Sequence, residues 1–112
     1  MQLSSHTEVP DVLVIDFREN NLDASNVREF KESVRTVVGE HRKVVIDMSH
    51  VKFVDSSGLG GLISCLRLLN NRNGDLRLCN LSAAVRALFE LMRMHRVFNI
   101  QPSIDDAIRS YA

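Results

Sequence analysis

Residues 43–62 read K-V-V-I-D-M-S-H-V-K-F-V-D-S-S-G-L-G-G-L. The first six are continuous and apolar, with β-branched valine and isoleucine, as in a strand covered on both faces. From Leu59 the period changes, and Leu59, Leu62, Ile63, Leu66 and Leu69 recur at helical spacing. Between the two patterns lie Asp55, Ser56, Ser57 and Gly58. A strand that hands over to a helix through such a loop is half of a crossover unit, and crossover units build parallel sheets.

The same alternation extends in both directions. Val12–Phe17 (V-L-V-I-D-F) is a strand, preceded by a Pro10-Asp11 turn and a weaker strand or extended arm within residues 2–9. Asn20-Asn21 makes a tight turn, since asparagine tolerates left-handed backbone. Asp23 then caps a helix whose apolar stripe is Ala24, Val27, Phe30, Val34, Val37 and Val38, with Gly39 at its end. Downstream, N-N-R-N-G stops the long helix at Gly74, and Leu76, Leu78 and Asn80 alternate as a strand. Ser82 caps a helix with the core stripe Val85, Leu88, Phe89 and Met92, leaving Leu91 and Met94 for a partner. Val97, Phe98 and Ile100 form a last strand. Ser103 opens a terminal helix bearing Ala107, Ile108 and Tyr111, with Asp105 and Asp106 favourably placed in its first turn. The expected fold is α/β, a small sheet, mixed but mostly parallel, with about four helices in one domain spanning residues 1–112.

Composition fits such a domain. The chain has 112 residues, 45% hydrophobic and 25% charged, with zero formal net charge, a normal globular balance. Zero net charge argues against nucleic acid as a partner, because phosphate neutralisation needs a basic excess. The charge is unevenly placed, however: residues 1–56 carry net −3 and residues 57–112 net +3. Solvated helix faces account for this, as does a basic surface for an acidic partner. Cys65 and Cys79 lack metal-type spacing and are expected as reduced core thiols. No apolar run reaches the roughly 18–20 residues of a membrane span. No signal pattern opens the chain, so a cytoplasmic protein is expected.

The loop at 55–58 is the candidate site. Loops at the carboxyl ends of parallel strands carry function, and helix starts expose unpaired N–H groups to anions. A serine cap and a glycine near a helix start are also ordinary turn chemistry. Two further glycines, Gly60 and Gly61, each cost about 1 kcal/mol in a helix interior and point to close approach at this surface. G-L-G-G lacks the lysine of a nucleotide-binding P-loop, and no G-x-S-x-G elbow is present. His6, His41, His50 and His95 are scattered, without metal spacing. No acid–base–nucleophile set emerges. The expectation is therefore no enzyme, no metal and no cofactor.

With these residues in view, the chain resembles the STAS domain family, and more narrowly the bacterial anti-sigma-factor antagonists. The most specific part is V-V-I-D-M-S-H-V-K-F-V-D-S-S-G-L-G, residues 44–60. N-L-D-A-S at 21–25 resembles the family's Leu-Asp loop, and L-C-N-L-S with the helix up to R-V-F-N-I resembles its later strand and helix. The resemblance implies a binding role without catalysis. It implies that Ser56, directly after the aspartate, is phosphorylated by an anti-sigma factor that is also a serine kinase. The unphosphorylated form binds that factor and frees a sigma factor, and a metal-dependent serine phosphatase reverses the modification. Asp23, Asp55, Ser57, Gly58, Leu59, Gly60 and Gly61 form the implied partner surface, with Ser57 as helix cap and secondary phosphoacceptor. Gly61 replaces a larger apolar residue and is expected to loosen the first helical turn, while Asn20-Asn21 replace a glycine before the Leu-Asp pair. Two other roles stand beside this one, an accessory subunit of a transporter and a small-ligand or nucleotide sensor.

Overall fold

The computed structural model describes residues 1–8 and 11–112. Pro10 of the expected Pro10-Asp11 turn lies outside the described residues. The main sheet contains β1 (Leu3–Glu8), β2 (Val12–Phe17), β4 (Lys43–Asp47), β6 (Asp75–Cys79) and β7 (Asn99–Gln101), side by side in that order. β1 runs antiparallel to β2, and every other pairing is parallel. The expectation of a mixed, mostly parallel sheet is met. Two very short strands, β3 (Asn21–Leu22) and β5 (Phe53–Val54), pair parallel as a separate ribbon. Neither was visible in the sequence, because two residues carry no periodicity.

Four helices clothe the sheet: α1 (Val27–Val38), α2 (Ser56–Asn70), α3 (Ala83–Leu91) and α4 (Ile104–Arg109). Strand alternation decides which face each one covers. Leu13, Ile15, Val44, Ile46, Leu76 and Leu78 point to one side. There they meet Phe30 and Val34 of α1, Leu62 and Leu69 of α2, and Phe89 of α3 in the main core. Phe17 meets Phe30 edge-on, with ring centroids 5.0 Å apart. Val12, Val14, Val45 and Cys79 point to the other side, where Ala107, Ile104, Ile108 and Tyr111 cover them.

Tyr111 secures this cover. Its hydroxyl lies 2.8 Å from the Val44 carbonyl and 2.7 Å from the Asp75 carbonyl, and accepts from the Val44 N–H at 3.2 Å. The Arg77 guanidinium sits 3.9 Å over the centre of its ring, a cation–π contact. Cys65 and Cys79 are free and buried, as expected of core thiols.

Several local details differ from the sequence expectation. α1 starts at Val27 with Asn26 as its cap residue, not Asp23, and Ala24 is exposed. Asn20 and Asn21 are not left-handed; among the described non-glycine residues positive φ occurs at Asn73, Asn80 and Arg93. α2 ends at Asn70, and Asn73 supplies the left-handed turn with φ 61°. Gly74 serves close approach instead: a Cβ there would lie 2.5 Å from the Arg42 carbonyl oxygen. Met92 is 43% exposed rather than core, whereas Met94 packs partly against the core. The left-handed turn at Arg93 (φ 59°) breaks the helical spacing between them.

Candidate functional site

The site is built where β3 and β5 deliver their carboxyl ends to the start of α2. Parallel pairing sets Asn21 beside Phe53 and Leu22 beside Val54. The Lys52 N–H donates to the Asn20 carbonyl at 2.7 Å, and the Asp55 N–H to the Leu22 carbonyl at 3.3 Å. Two segments distant in sequence, 20–26 and 52–58, thereby form one surface.

Asp55 is the N-cap of α2, with extended backbone. Its Oδ1 accepts from the Gly58 N–H at 2.8 Å, satisfying one of the helix's unpaired donors. Its Oδ2 accepts from the Ala24 N–H at 3.2 Å, across to the other segment. The sequence expectation placed the cap at Ser57, but Ser57 is the second residue of the helix. Asp55 wins because a carboxylate can receive two N–H groups at once, and here each belongs to a different segment.

Ser56 and Ser57 are both exposed. Among the described residues neither hydroxyl has a hydrogen-bond partner within the protein. Gly58 and Leu59 are buried, with Leu59 in the main core. A Cβ on residue 58 would collide with the Leu22 carbonyl. Only glycine lets β3 lie this close to the helix.

Gly61 is buried, and a Cβ there would strike the side chain of Val27. It marks the close approach of α1 to α2, and the expected loosening is replaced by tight packing. Gly60 faces open space.

Asp23 is not a helix cap but the organiser of the preceding turn. Its Oδ1 accepts from the Ser25 N–H at 2.9 Å and from the Ser25 hydroxyl at 2.5 Å, and its Oδ2 accepts from the Asn21 amide at 2.9 Å. Donation by the Ser25 hydroxyl, then by the Ser25 N–H, holds its carboxyl below the usual carboxylate range. Asn26 closes the turn, accepting from the Asp23 N–H at 3.0 Å and donating to the Asn21 carbonyl at 2.8 Å. Of the implied set, then, Asp23, Asp55 and the start of α2 are brought together around one hydroxyl-bearing helix mouth. Asn21, expected only as a turn residue, and Ser25 and Asn26, not singled out in the sequence, hold that arrangement. The N-x-D-x-S-N spacing of short polar residues, typical of side-chain-supported turns, was the available signal.

No group of three or more His, Cys, Asp or Glu side chains among the described residues could hold a metal ion. No helix among them is long and apolar enough to cross a membrane. Chemically, the site offers a free hydroxyl at the positive end of a helix, beside a carboxylate already engaged on both oxygens.

Comparison with known proteins gives this geometry a context. A family model described as the STAS domain matches residues 5–107. The chain is similar to an anti-sigma F factor antagonist of Paenibacillus polymyxa, 27% identical over 82 residues, covering 73% of this chain and 66% of that protein. It therefore spans just under two thirds of that relative's length. It is also 29% identical over 103 residues to an anti-sigma-B factor antagonist of Listeria monocytogenes, covering 90% of each. The fold is similar to that of the Bacillus cell fate determinant SpoIIAA in its phosphorylated form, with TM-score 0.71, 20% identity and coverage of 99% of this chain and 100% of that one.

Proposed function

Because the chain belongs to the STAS domain family, we propose that it is an anti-sigma-factor antagonist whose docking is switched by phosphorylation of Ser56. In this reading it acts in the cytoplasm and performs no catalysis. The unphosphorylated protein binds an anti-sigma factor that is also a serine kinase and thereby frees a sigma factor. Phosphorylation releases the antagonist, and a metal-dependent serine phosphatase restores it.

One observation supports the reading above the others. The Ser56 hydroxyl is exposed at the first position of α2, directly beside Asp55. Unmodified, it is small and neutral and can enter a close interface. Phosphorylated, it carries about 1.5–2 negative charges next to a carboxylate whose two oxygens are already occupied. Docking would then bury uncompensated charge, and a penalty of ~3 kcal/mol weakens binding by more than a hundredfold. The Asp23 turn is tied to the same helix mouth through the Ala24–Asp55 hydrogen bond, so both loops belong to one partner surface. Asp55, Ser57 and Gly60 complete that surface, whereas Gly58, Leu59 and Gly61, expected on it, are buried beneath it and support it from within; Ser57 is a second exposed acceptor one residue away.

The test is capture of partners from the source cell with wild type, Ser56→Ala and Ser56→Asp as baits, followed by mass spectrometry. A kinase-like protein held by wild type and Ser56→Ala but lost with Ser56→Asp supports the switch. Partners indifferent to the aspartate, with no phosphate at Ser56, would sink it.

A further inference from the structure

The two edges of the main sheet differ. β7 is an edge of three residues, and shortness is one way in which edges are kept from pairing. β1 is an edge of six, L-S-S-H-T-E, matched one-to-one with β2 and without a bulge. It contains no lysine or proline, the residues that commonly blunt an edge. Ser4, Ser5, His6 and Thr7 are exposed. Among the described residues no strand pairs with its outer side.

One hydrogen bond fixes the phase of that outer side. The Arg18 N–H donates to the Gln2 carbonyl at 2.9 Å, so the even-numbered residues of this stretch turn their backbone groups towards β2. Antiparallel ladders alternate, and Leu3, Ser5 and Thr7 therefore aim their N–H and C=O groups away from the sheet. An antiparallel strand that uses these groups must set odd residues against odd. β1 does this with itself about a two-fold axis at Ser5, with Ser5 against Ser5, Leu3 against Thr7 and Ser4 against His6. No charged side chain faces its like in this register. The next register in phase, centred one residue on, would oppose His6 to His6.

We propose that a second copy of this chain pairs along β1, joining the two main sheets into one across a two-fold axis. Two features of the edge favour a copy over an unrelated peptide. His6 of the second copy falls beside Ser4, on the face and rung of Asp16 and two strands away from it, about 10 Å. Asp16 has one carboxylate oxygen buried without a hydrogen-bond partner among the described residues, so a cationic imidazole there is complementary. Thr7 of the second copy falls beside Leu3, at the mouth of a depression of about 310 Å³ lined by Met1, Leu3, Glu32, Ser33, Thr36 and Val37. The edge is short, so the pairing is reversible, as small interfaces are. It uses none of the residues around Ser56 and stands or falls separately from the phosphorylation switch.

Sedimentation of the full chain from roughly 10 µM to 1 mM should show a monomer–dimer equilibrium. Ser5→Pro removes the outward N–H at the axis and should weaken dimerisation about tenfold or more. Ser5→Lys keeps that N–H but sets two lysines face to face, and should weaken it similarly without touching the pairing of β1 with β2. Cysteine pairing reads the register. An equal mixture of Ser4→Cys and His6→Cys should give a disulfide-linked dimer under mild oxidation, because that cross-strand pair is of the close kind, about 4.5 Å between Cα atoms. Neither variant alone should link at a comparable rate, and Cys65 and Cys79, both buried, stay out of the reaction. A monomer throughout the range, dimerisation indifferent to both Ser5 variants, or linking by Ser4→Cys alone as fast as by the mixture overturns the proposal.

Discussion

The carbonyl of Leu22 occupies the space that a side chain on residue 58 would need. The β3 backbone and the first turn of α2 are in contact there with nothing between them. Gly58→Ala should therefore lower stability by about 1–3 kcal/mol, as overpacking does against backbone that cannot yield. Gly60→Ala is the control. It enters open space in the same helical turn and should raise stability by up to about 1 kcal/mol through helix propensity. Urea melts of the two variants check both signs. Equal effects would mean that the close approach is not what fixes glycine at 58.

Asp55 joins two segments, and its removal should loosen both. Asp55→Ala should cost about 1 kcal/mol for the lost cap and accelerate hydrogen exchange at the Gly58 and Ala24 amides together. Asp55→Asn retains an acceptor and should protect Gly58 largely as before. Exchange that rises at Gly58 alone would show that the Ala24 contact holds nothing in place.

Tyr111→Phe should destabilise by about 1–3 kcal/mol, because it strands backbone groups of Val44 and Asp75 beneath α4. The ring and its contact with Arg77 remain, so the loss reports the hydroxyl alone. A thermal melt unchanged from wild type would assign the hold of α4 to its apolar residues.

Alkaline pH should unfold the protein through its buried acids. Burial pushes the Cys65 thiol up to about 11 and the Cys79 thiol up to about 12, from an ordinary value of 9.0. Burial raises the Tyr111 hydroxyl as well. In each case the unfolded chain ionises first, so stability is full below about pH 9 and falls as pH rises towards the folded values. The urea midpoint should drop between pH 9 and 11, and Cys65→Ala, though costly in packing, should flatten that slope. Thiol reagents at neutral pH should modify neither cysteine until the chain opens. Rapid labelling of the native protein would contradict this.

The sequence carried the large elements because each satisfies its own local rules. V-V-I-D within β4 has a continuous apolar run, α2 has an unbroken leucine spacing, and Ser82 and Ser103 cap as short hydroxyl residues do, accepting from the Val85 and Asp106 N–H groups. What escaped was cooperative. β3 and β5 exist only as each other's partners, and the Asp23 turn depends on Asn21, Ser25 and Asn26 acting together. Met92 and Met94 exchanged environments because one left-handed residue, Arg93, reset the helical phase. At the site, the D-S-S-G string was legible, but the residue doing the capping was not. Serine and aspartate are equally good caps in isolation, and only the Ala24 amide on another segment decides between them.

The exposed Ser56 hydroxyl, without a hydrogen-bond partner among the described residues, has a thermodynamic corollary. A phosphate there breaks no existing hydrogen bond, and its attraction to the positive end of α2 opposes its repulsion from Asp55, so the folding equilibrium should change little. Folded and unfolded chains would then accept the modification at similar free energy, and the two forms should melt at nearly the same temperature. Whatever free energy the modification carries is left to be expressed in the complex, where it separates bound from free. A serine held by the scaffold would have spent part of that difference on unfolding.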